Sequence, residues 1–250
     1  MTTHLPGKFV WLELLTDDAA KAKGFYGELF GWTASPMPMG DFTYEIIQNG
    51  GAGIGGYAAS RGQRPQWHAY VSVEDVDATA KRIEKSGGAV IVPAFDVPGV
   101  GRMAAVRDPQ GASFSIMRSA QDDAPDAPAV DGAFYWNELW TEDDAAALAF
   151  YEKALGYTHE AMDMGPMGTY RVLEQSGSSR GGIMKSPDPK APPMWLPYVR
   201  VKDTDATAAR AEKLGATVLA PPSDIPGIGR FAVLADPQGA AIAIITPPPS

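Results

Sequence analysis

The stretch Phe-Val-Trp-Leu-Glu-Leu at residues 9–14 returns as Phe-Tyr-Trp-Asn-Glu-Leu at residues 134–139, an offset of 125 positions. Further along, Asp-Pro-Gln-Gly at residues 108–111 returns at residues 236–239, so the offset has drifted to 128. Matches of the same order lie between these two anchors: Thr16 with Thr141, Phe25-Tyr26 with Phe150-Tyr151, Trp67 with Trp195. Similarity at a nearly fixed spacing indicates that the chain is a tandem duplication.

Each copy divides again into two similar halves. In the first half, an apolar strand over residues 10–15 precedes Asp17-Asp18, a helix N-cap signal, and an amphipathic helix over residues 19–30 that Gly31 ends. Short strands with glycine-rich turns follow the helix, and the second half repeats this plan. The pattern predicts an α+β fold of four βαβββ modules, near residues 8–57, 66–118, 133–185 and 194–246.

A Pro-, Ala- and Asp-rich stretch lies between the two copies and has no apolar period. Such a composition is typical of an extended linker. The sequence therefore predicts one domain over residues 8–118, a linker over 119–132 and a second domain over 133–246.

Composition narrows the classes of function. The chain has 250 residues and no cysteine, which excludes disulfides, thiolate metal sites and a cysteine nucleophile. A net charge of −9 without a basic block disfavours nucleic acid. No apolar run is long enough to span a bilayer, and the first residues contain no signal-peptide core. We expect a cytoplasmic protein, a monomer or homodimer, whose partner is a small molecule rather than nucleic acid or a membrane.

Several motifs together resemble the vicinal oxygen chelate superfamily, which includes glyoxalase I, extradiol dioxygenases and bleomycin-resistance proteins. They are Thr-Asp-Asp before a helix with Phe-Tyr-x-x-x-x-Gly, His-x-Tyr-Val-x-Val-x-Asp at residues 68–75, and Asp-Pro-x-Gly before a last strand. The tandem arrangement is also similar to actinobacterial glyoxalase-like and hydroxylase-like proteins. The resemblance implies paired βαβββ modules that form cup-shaped domains, but the superfamily contains lyases, dioxygenases and binding proteins, so it leaves the reaction open.

The same resemblance implies a divalent metal held by His, Glu or Gln side chains on the first and last strands of the modules. At the corresponding positions the first copy has Trp11 with Glu13 two residues on, a glycine-rich strand, His68 and Ser115. The second copy has Trp136, glycines, Leu196 and Ala243. Catalytic metals need about three protein ligands. We therefore predict no metal and no other cofactor, with a divalent metal at Glu13 and His68 as the alternative.

Glu13 and Glu138 are the only charges within the two apolar opening strands. Each is either a general base or polar anchor, or a strand-end carboxylate paired with Arg102 or Arg230. His68 is more simply a hydrogen-bonded strand histidine than a ligand. If the protein is an enzyme, Glu13 and His68 are the catalytic candidates. The candidate ligand-binding residues are Trp11, Met39, Tyr44, Ser115, Trp136, Glu138 and Tyr170.

Two further sets of residues have alternative interpretations. Trp67 and Trp195 are expected in the core. The Met-rich segments at residues 37–40 and 162–167 are either lids over the mouth of the cup or loops that close a sheet edge. Asp-Pro-Gln-Gly is a hairpin-turn signal.

Three functional hypotheses follow from these observations. The first is a glyoxalase-like lyase or a hydroxylase- or dioxygenase-type oxidoreductase. The second, which we favour because metal ligands are lacking, is a protein that binds a small, largely apolar or aromatic metabolite. The third is a scaffold whose copies only complete each other's sheets. Because Leu196 stands where the first copy has His68, one functional site is favoured over two equal sites.

Overall fold

The computed structural model describes residues 3–40, 42–126, 128, 130–165 and 168–248. The first module consists of β1 (Phe9–Leu15), α1 (Ala19–Phe30), β2 (Thr33–Met39), β3 (Phe42–Asn49) and β4 (Ala52–Ala58). The second consists of β5 (Gln66–Ser72), α2 (Val76–Lys85), β6 (Ala89–Val97), β7 (Gly101–Arg107) and β8 (Ser113–Ser119). The third consists of β9 (Phe134–Thr141), α3 (Asp144–Leu155), β10 (Thr158–Asp163), β11 (Thr169–Gln175) and β12 (Ser178–Lys185). The fourth consists of β13 (Met194–Arg200), α4 (Thr204–Lys213), β14 (Thr217–Ile225), β15 (Gly229–Ala235) and β16 (Ala241–Thr246).

Hydrogen bonds arrange these strands into two sheets of eight. Their orders are β2-β3-β4-β1-β5-β8-β7-β6 and β10-β11-β12-β9-β13-β16-β15-β14. In the first module the first strand pairs in parallel with the last, and the strands between are antiparallel hairpins. The α+β class and the four βαβββ modules predicted from the sequence are confirmed.

All four helices begin in the same way. Asp18, Asp75, Asp143 and Asp203 are the N-caps, and each carboxylate accepts a hydrogen bond from the backbone N–H three residues later. This bond satisfies one of the donors that a helix start leaves unpaired. The sequence therefore marks the start of every helix in the chain's described part.

The strands at the sheet edges differ from the sequence analysis. Residues 37–39, treated there as a lid or loop, belong to β2, and Met162 belongs to β10. Met167 lies outside the described residues. Pro36 and Pro38 obscured β2 because proline lacks the N–H that a central strand needs, yet an edge strand tolerates it. The edge strands β6 and β14 contain prolines for the same reason.

Contacts between Cα atoms divide the chain into two compact units, and these units do not coincide with the two sheets. One contains Met1–Val10, His68–Asp126 and Trp136–Trp195, and the other contains Trp11–Trp67, Ala127–Tyr135 and Leu196–Ser250. Each unit therefore combines parts of both sequence copies. The boundaries at residues 8–118 and 133–246 stay a prediction.

In the first of these units, a buried series of hydrogen bonds between two aromatic side chains and an aspartate links the two sequence copies. The indole Nε1 of Trp195 donates to the hydroxyl of Tyr151 (3.0 Å), and that hydroxyl donates to Asp108 Oδ2 (3.1 Å). The other oxygen of Asp108 accepts backbone N–H groups of its own turn. Asp108 thus does more than shape a hairpin turn, because it also holds a tyrosine of the other copy.

The second unit contains the equivalent series of hydrogen bonds, in which the tryptophan and tyrosine come from the first copy and the aspartate from the second. Trp67 Nε1 donates to the hydroxyl of Tyr26 (3.1 Å), which donates to Asp236 Oδ2 (3.0 Å). Both tryptophans are buried, as the sequence predicts. Burial and the neighbouring carboxylate raise the pKa of Tyr26 well above its usual value, so its hydroxyl remains a donor. No helix in the described ranges is long and apolar enough to cross a membrane.

Candidate functional site

An ion pair shows which face of the first module lies away from its helix. Lys23 on α1 contacts Glu45 on β3 at 2.7 Å, so α1 covers the Glu45 side of the sheet. Neighbouring strand residues point to opposite faces. Tyr44 therefore points away from α1, and the hydrogen bonds described next place Trp11 and Glu13 on the same side. We call this the helix-distal face of the first module.

Three sequence-predicted residues form one hydrogen-bonded relay on this face. The indole Nε1 of Trp11 donates to the hydroxyl of Tyr44 (2.9 Å), and that hydroxyl donates to Glu13 Oε1 (2.6 Å). All three side chains are half-buried. The relay fixes a carboxylate and an indole ring side by side at the surface of the sheet.

A glycine makes room for the relay. Glu13 pairs with Gly56 of β4, and a Cβ atom at Gly56 would clash with the hydroxyl of Tyr44. The tyrosine hydroxyl thus occupies the space in which a last-strand side chain of this module would stand. On neighbouring β2, Met37 pairs with Tyr44, and Met39 lies two residues on at the same face. Thioether side chains border the relay.

The alternative in which Glu13 and Glu138 pair with Arg102 and Arg230 is wrong. Arg102 binds Asp77 and Asp96, and Arg230 binds Asp205 and Asp224 at the matching place. In each case the arginine faces the helix of its own module, because the second residue of that helix is the aspartate that it binds. These exposed ion pairs connect the helix to the sheet. They do not involve Glu13 or Glu138, which lie on the helix-distal faces.

The second copy repeats the relay in its third module. Trp136 Nε1 donates to the hydroxyl of Tyr170 (2.7 Å), which is hydrogen-bonded to Glu138. Gly182 faces Glu138 and leaves the space that the tyrosine hydroxyl fills. Burial first, and then the Glu138 carboxylate, raise the pKa of Tyr170 well above its usual value. The tyrosine therefore stays a hydrogen-bond donor at neutral pH.

The two relays differ in how their carboxylate is covered. Trp140 Nε1 donates to Glu138 Oε1 at 2.6 Å, and Glu138 is only 5% exposed. Leu15 occupies the position of Trp140 in the first copy and has no donor to offer. Glu13 is half-buried rather than buried. The carboxylate of the second copy is covered by an indole and buried, whereas that of the first is half-buried.

His68 and Ser115 meet in the other compact unit. His68 Nε2 and Ser115 Oγ are 2.9 Å apart, and the Tyr70 ring meets the imidazole edge-on. Burial lowers the pKa of His68 to about 4, so the imidazole is neutral at pH 7. This matches the interpretation of His68 as a hydrogen-bonded strand histidine, and its neutral ring cannot serve as a strong acid. The fourth module has buried Leu196 and Ala243 at the equivalent positions.

The donors available do not fit a catalytic divalent metal. Among the residues that the structure describes, no three His, Cys, Asp or Glu side chains lie close enough together to hold an ion. Glu13 Oε1 already accepts from Tyr44, and His68 Nε2 is engaged with Ser115. Zinc and iron sites that catalyse reactions use about three protein ligands and an open position.

Comparison with known proteins supports the relationship indicated by the fold. A bleomycin resistance protein-like N-terminal family model matches residues 8–44, and a glyoxalase-like domain model matches residues 137–245. The "Putative glyoxylase CFP32" of Mycobacterium tuberculosis is 40% identical over 246 residues, which cover 96% of this chain and 94% of that protein. The chain belongs to the vicinal oxygen chelate superfamily.

Other members of the superfamily are similar along the whole chain. The anthracycline biosynthesis protein DnrV of Streptomyces peucetius is 33% identical over 264 residues, covering 98% of this chain and 95% of that protein. The Mn(II)-bound glyoxalase from Novosphingobium aromaticivorans superposes with a TM-score of 0.68 at 17% identity, covering 96% and 82% of the two chains. The 2,2',3-trihydroxybiphenyl 1,2-dioxygenase from Sphingomonas wittichii has a TM-score of 0.65 at 14% identity, covering 98% and 91%. At these identities the solved structures show the shared fold alone.

Sequence reasoning missed three contributors to this superfamily member's relays. In the sequence, Gly56 and Gly182 are simply positions without ligand atoms, whereas in the structure each accommodates a tyrosine hydroxyl. The residues expected from the sequence do not include Trp140, whose indole covers Glu138. The signal that could have revealed it is the change from Leu15 to Trp140 inside an otherwise repeated strand.

Proposed function

We propose that this protein binds a flat, largely apolar aromatic metabolite on the helix-distal face of its first module, without a catalytic metal. The observation that carries the proposal is the half-buried Glu13 carboxylate, which Tyr44 fixes beside the indole of Trp11. Pockets for small molecules combine apolar and aromatic walls with a few positioned polar groups. The relay supplies both kinds of group on one face of the sheet.

Each part of the site has a defined task in recognition. The indole of Trp11 offers a rigid aromatic surface, and Met37 and Met39 on β2 adapt to the outline of a bound ring. Glu13, as a carboxylate, accepts hydrogen bonds only. The bound molecule is therefore expected to present a hydroxyl or N–H group at the edge of its ring system.

The second copy serves as an internal comparison. Trp136, Tyr170 and Glu138 have the same relay, but Trp140 donates to the carboxylate and keeps it buried. A ligand would have to displace this indole and its hydrogen bond before reaching Glu138. We therefore propose one ligand site per chain, in the first copy.

The relatives support the class of ligand. Two similar Streptomyces proteins are named anthracycline biosynthesis proteins, a name that favours a polycyclic aromatic ligand. The glyoxalase and dioxygenase names among the relatives favour a metal-dependent reaction as the alternative. The donors around Glu13 and His68 support it less, because they fall short of a three-ligand set.

A titration with a dihydroxyanthraquinone tests the proposal, with quenching of tryptophan fluorescence as the signal. We expect saturable binding to metal-free protein and an affinity loss of about tenfold or more in Glu13→Gln, since a charge-assisted hydrogen bond becomes a neutral one. Glu138→Gln is the matched control and should keep the affinity within about twofold.

Two results would contradict this function. One is the absence of binding by the unaltered protein. The other is an equal loss of affinity in the two glutamine variants. Thermal melting of all three proteins identifies any variant that has lost its fold.

A further inference from the structure

A cavity of about 500 Å³ lies on the other face of the first module, between α1 and the sheet. Its walls include Lys23 from α1, Trp32 before β2, Pro36 on β2, Glu45 on β3 and Tyr57 on β4. Sites for small molecules typically measure roughly 300–1,000 Å³. The cavity is therefore large enough for a ligand and is separate from the Glu13 relay, which lies on the helix-distal face.

Its polar groups are of opposite charge and lie side by side. Lys23 Nζ and Glu45 Oε2 are 2.7 Å apart, and the two side chains are 36% and 34% exposed. Burial, and then the nearby Glu45 carboxylate, raise the pKa of Tyr57, so its phenol stays protonated. The cavity thus offers one cation, one anion and one neutral hydroxyl against an aromatic wall.

The third module shows that the fold does not require this arrangement. The positions of Lys23 and Tyr57 are taken there by Leu148 and Ile183, both buried, and the position of Trp32 is taken by Tyr157, also buried. At the position of Glu45 the third module has Arg171, which forms its own ion pair with Asp144 on α3. Both modules therefore have a helix–sheet ion pair, but the third module has no counterpart of the Lys23 and Tyr57 side chains that line the cavity of the first.

We propose that this cavity is a second binding site, for a small zwitterion of the α-amino-acid type with an aromatic side chain. Its carboxylate would take the place of Glu45 beside Lys23, and its ammonium group would take the place of Lys23 beside Glu45. The aromatic side chain would lie against Trp32 and Pro36. This inference does not depend on the ligand proposed for the relay.

The ion pair makes such an exchange feasible. A pair between two side chains that are about one-third exposed contributes little to stability, so separating it costs little. A zwitterion restores both charge contacts at once. An anion alone would leave Glu45 without its cation, and a cation alone would leave Lys23 without its anion. Selectivity for molecules with both charges is therefore the distinguishing property of the site.

Calorimetric titration of the full chain with L-phenylalanine, 3-phenylpropanoate and phenethylamine tests this inference. We expect L-phenylalanine to bind at least about tenfold more tightly than either singly charged analogue. Lys23→Leu, which installs the residue type of the second copy, and Glu45→Gln should each weaken binding by about tenfold or more.

The matched control is Arg171→Gln, which removes an ion pair with Asp144 at the position equivalent to Glu45 and should leave L-phenylalanine affinity unchanged. Equal affinity for the three probes would overturn the inference. No heat of binding at concentrations up to about 10 mM would also overturn it. Melting curves of the variants exclude loss of fold as the cause. Because the probe and variants differ from those of the relay, failure here leaves the proposed aromatic site untouched.

Discussion

The hydroxyl of Tyr44 lies against the backbone of Gly56, in the space that a side chain at residue 56 would need. Gly56 is the partner of Glu13 in the parallel pairing of β1 and β4. The same relationship joins Tyr170 and Gly182 in the second copy. In both copies a tyrosine hydroxyl from the neighbouring strand replaces the last-strand side chain and is held there by a tryptophan and a glutamate.

Replacing the glycine should therefore disturb the relay directly. We expect Gly56→Ala to lower the free energy of unfolding by about 1–3 kcal/mol, because the new methyl group forces Tyr44 out of place. It should also weaken binding of the dihydroxyanthraquinone. Gly24→Ala on α1 is the control, since nothing lies near its added methyl group and a helix favours alanine. Denaturant unfolding measures both, and an unchanged Gly56→Ala protein would refute the packing described here.

The buried imidazole of His68 should make stability depend on pH. Burial lowers its pKa from 6.5 to about 4, so the unfolded chain takes up this proton at higher pH than the folded one. Stability is therefore lost as pH falls from about 6.5 towards 4, by about 3 kcal/mol from this group. His68→Gln should flatten that part of the stability–pH profile relative to the unaltered protein. An unchanged slope in His68→Gln would show that His68 is not the titrating group.

The buried tyrosine–aspartate pairs should be important for stability. Tyr151→Phe leaves Asp108 Oδ2 and Trp195 Nε1 without their shared partner. We expect a loss of about 1–3 kcal/mol in the free energy of unfolding, and a similar loss in Tyr26→Phe, which breaks the equivalent chain. Tyr135, which is 39% exposed, supplies the control, and Tyr135→Phe should change little. If the losses are no larger than in this control, the hydrogen bonds of the two buried hydroxyl groups make no net contribution to the free energy of unfolding.

Removal of divalent metals should have no effect. No three metal-binding side chains meet in the part of the chain that the structure describes. We therefore expect the same melting temperature before and after treatment with a chelator, and no rise when Mn²⁺, Zn²⁺ or Fe²⁺ is added. A tightly bound ion would stabilise the folded state by mass action and raise the melting temperature. Such a rise, lost in His68→Ala, would restore the metal-dependent alternative.

The sequence predicts the modular plan well because duplication repeats every local signal. Capping aspartates, helix-ending glycines and apolar strands appear at matching places, and their meaning depends only on near neighbours in the chain. Those signals correctly predicted four βαβββ modules. The edge strand β2 was missed because its prolines are a loop signal unless the strand is known to lie at an edge.

The candidate site was predictable only in part. Trp11, Glu13 and Tyr44 were selected separately, and alternation placed Trp11 and Glu13 on one face. They form a relay because the Tyr44 side chain reaches over Gly56 of the neighbouring strand. The register between these strands determines that contact, and the sequence alone does not predict the register. The partners of Arg102 were wrong for a related reason. Arg102 binds Asp96, its partner across the β6–β7 hairpin, and Asp77 on α2, which is 25 residues away in the sequence.

The number of aromatic ligands bound per chain distinguishes one binding site, at Glu13, from two equal sites. Equilibrium dialysis of metal-free protein against the dihydroxyanthraquinone should give one molecule per chain, and Leu15→Trp, which installs the indole that seals Glu138 in the second copy, should abolish that binding. Two equivalent sites, or undiminished binding in the Leu15→Trp protein, would show that Glu13 does not form the ligand site.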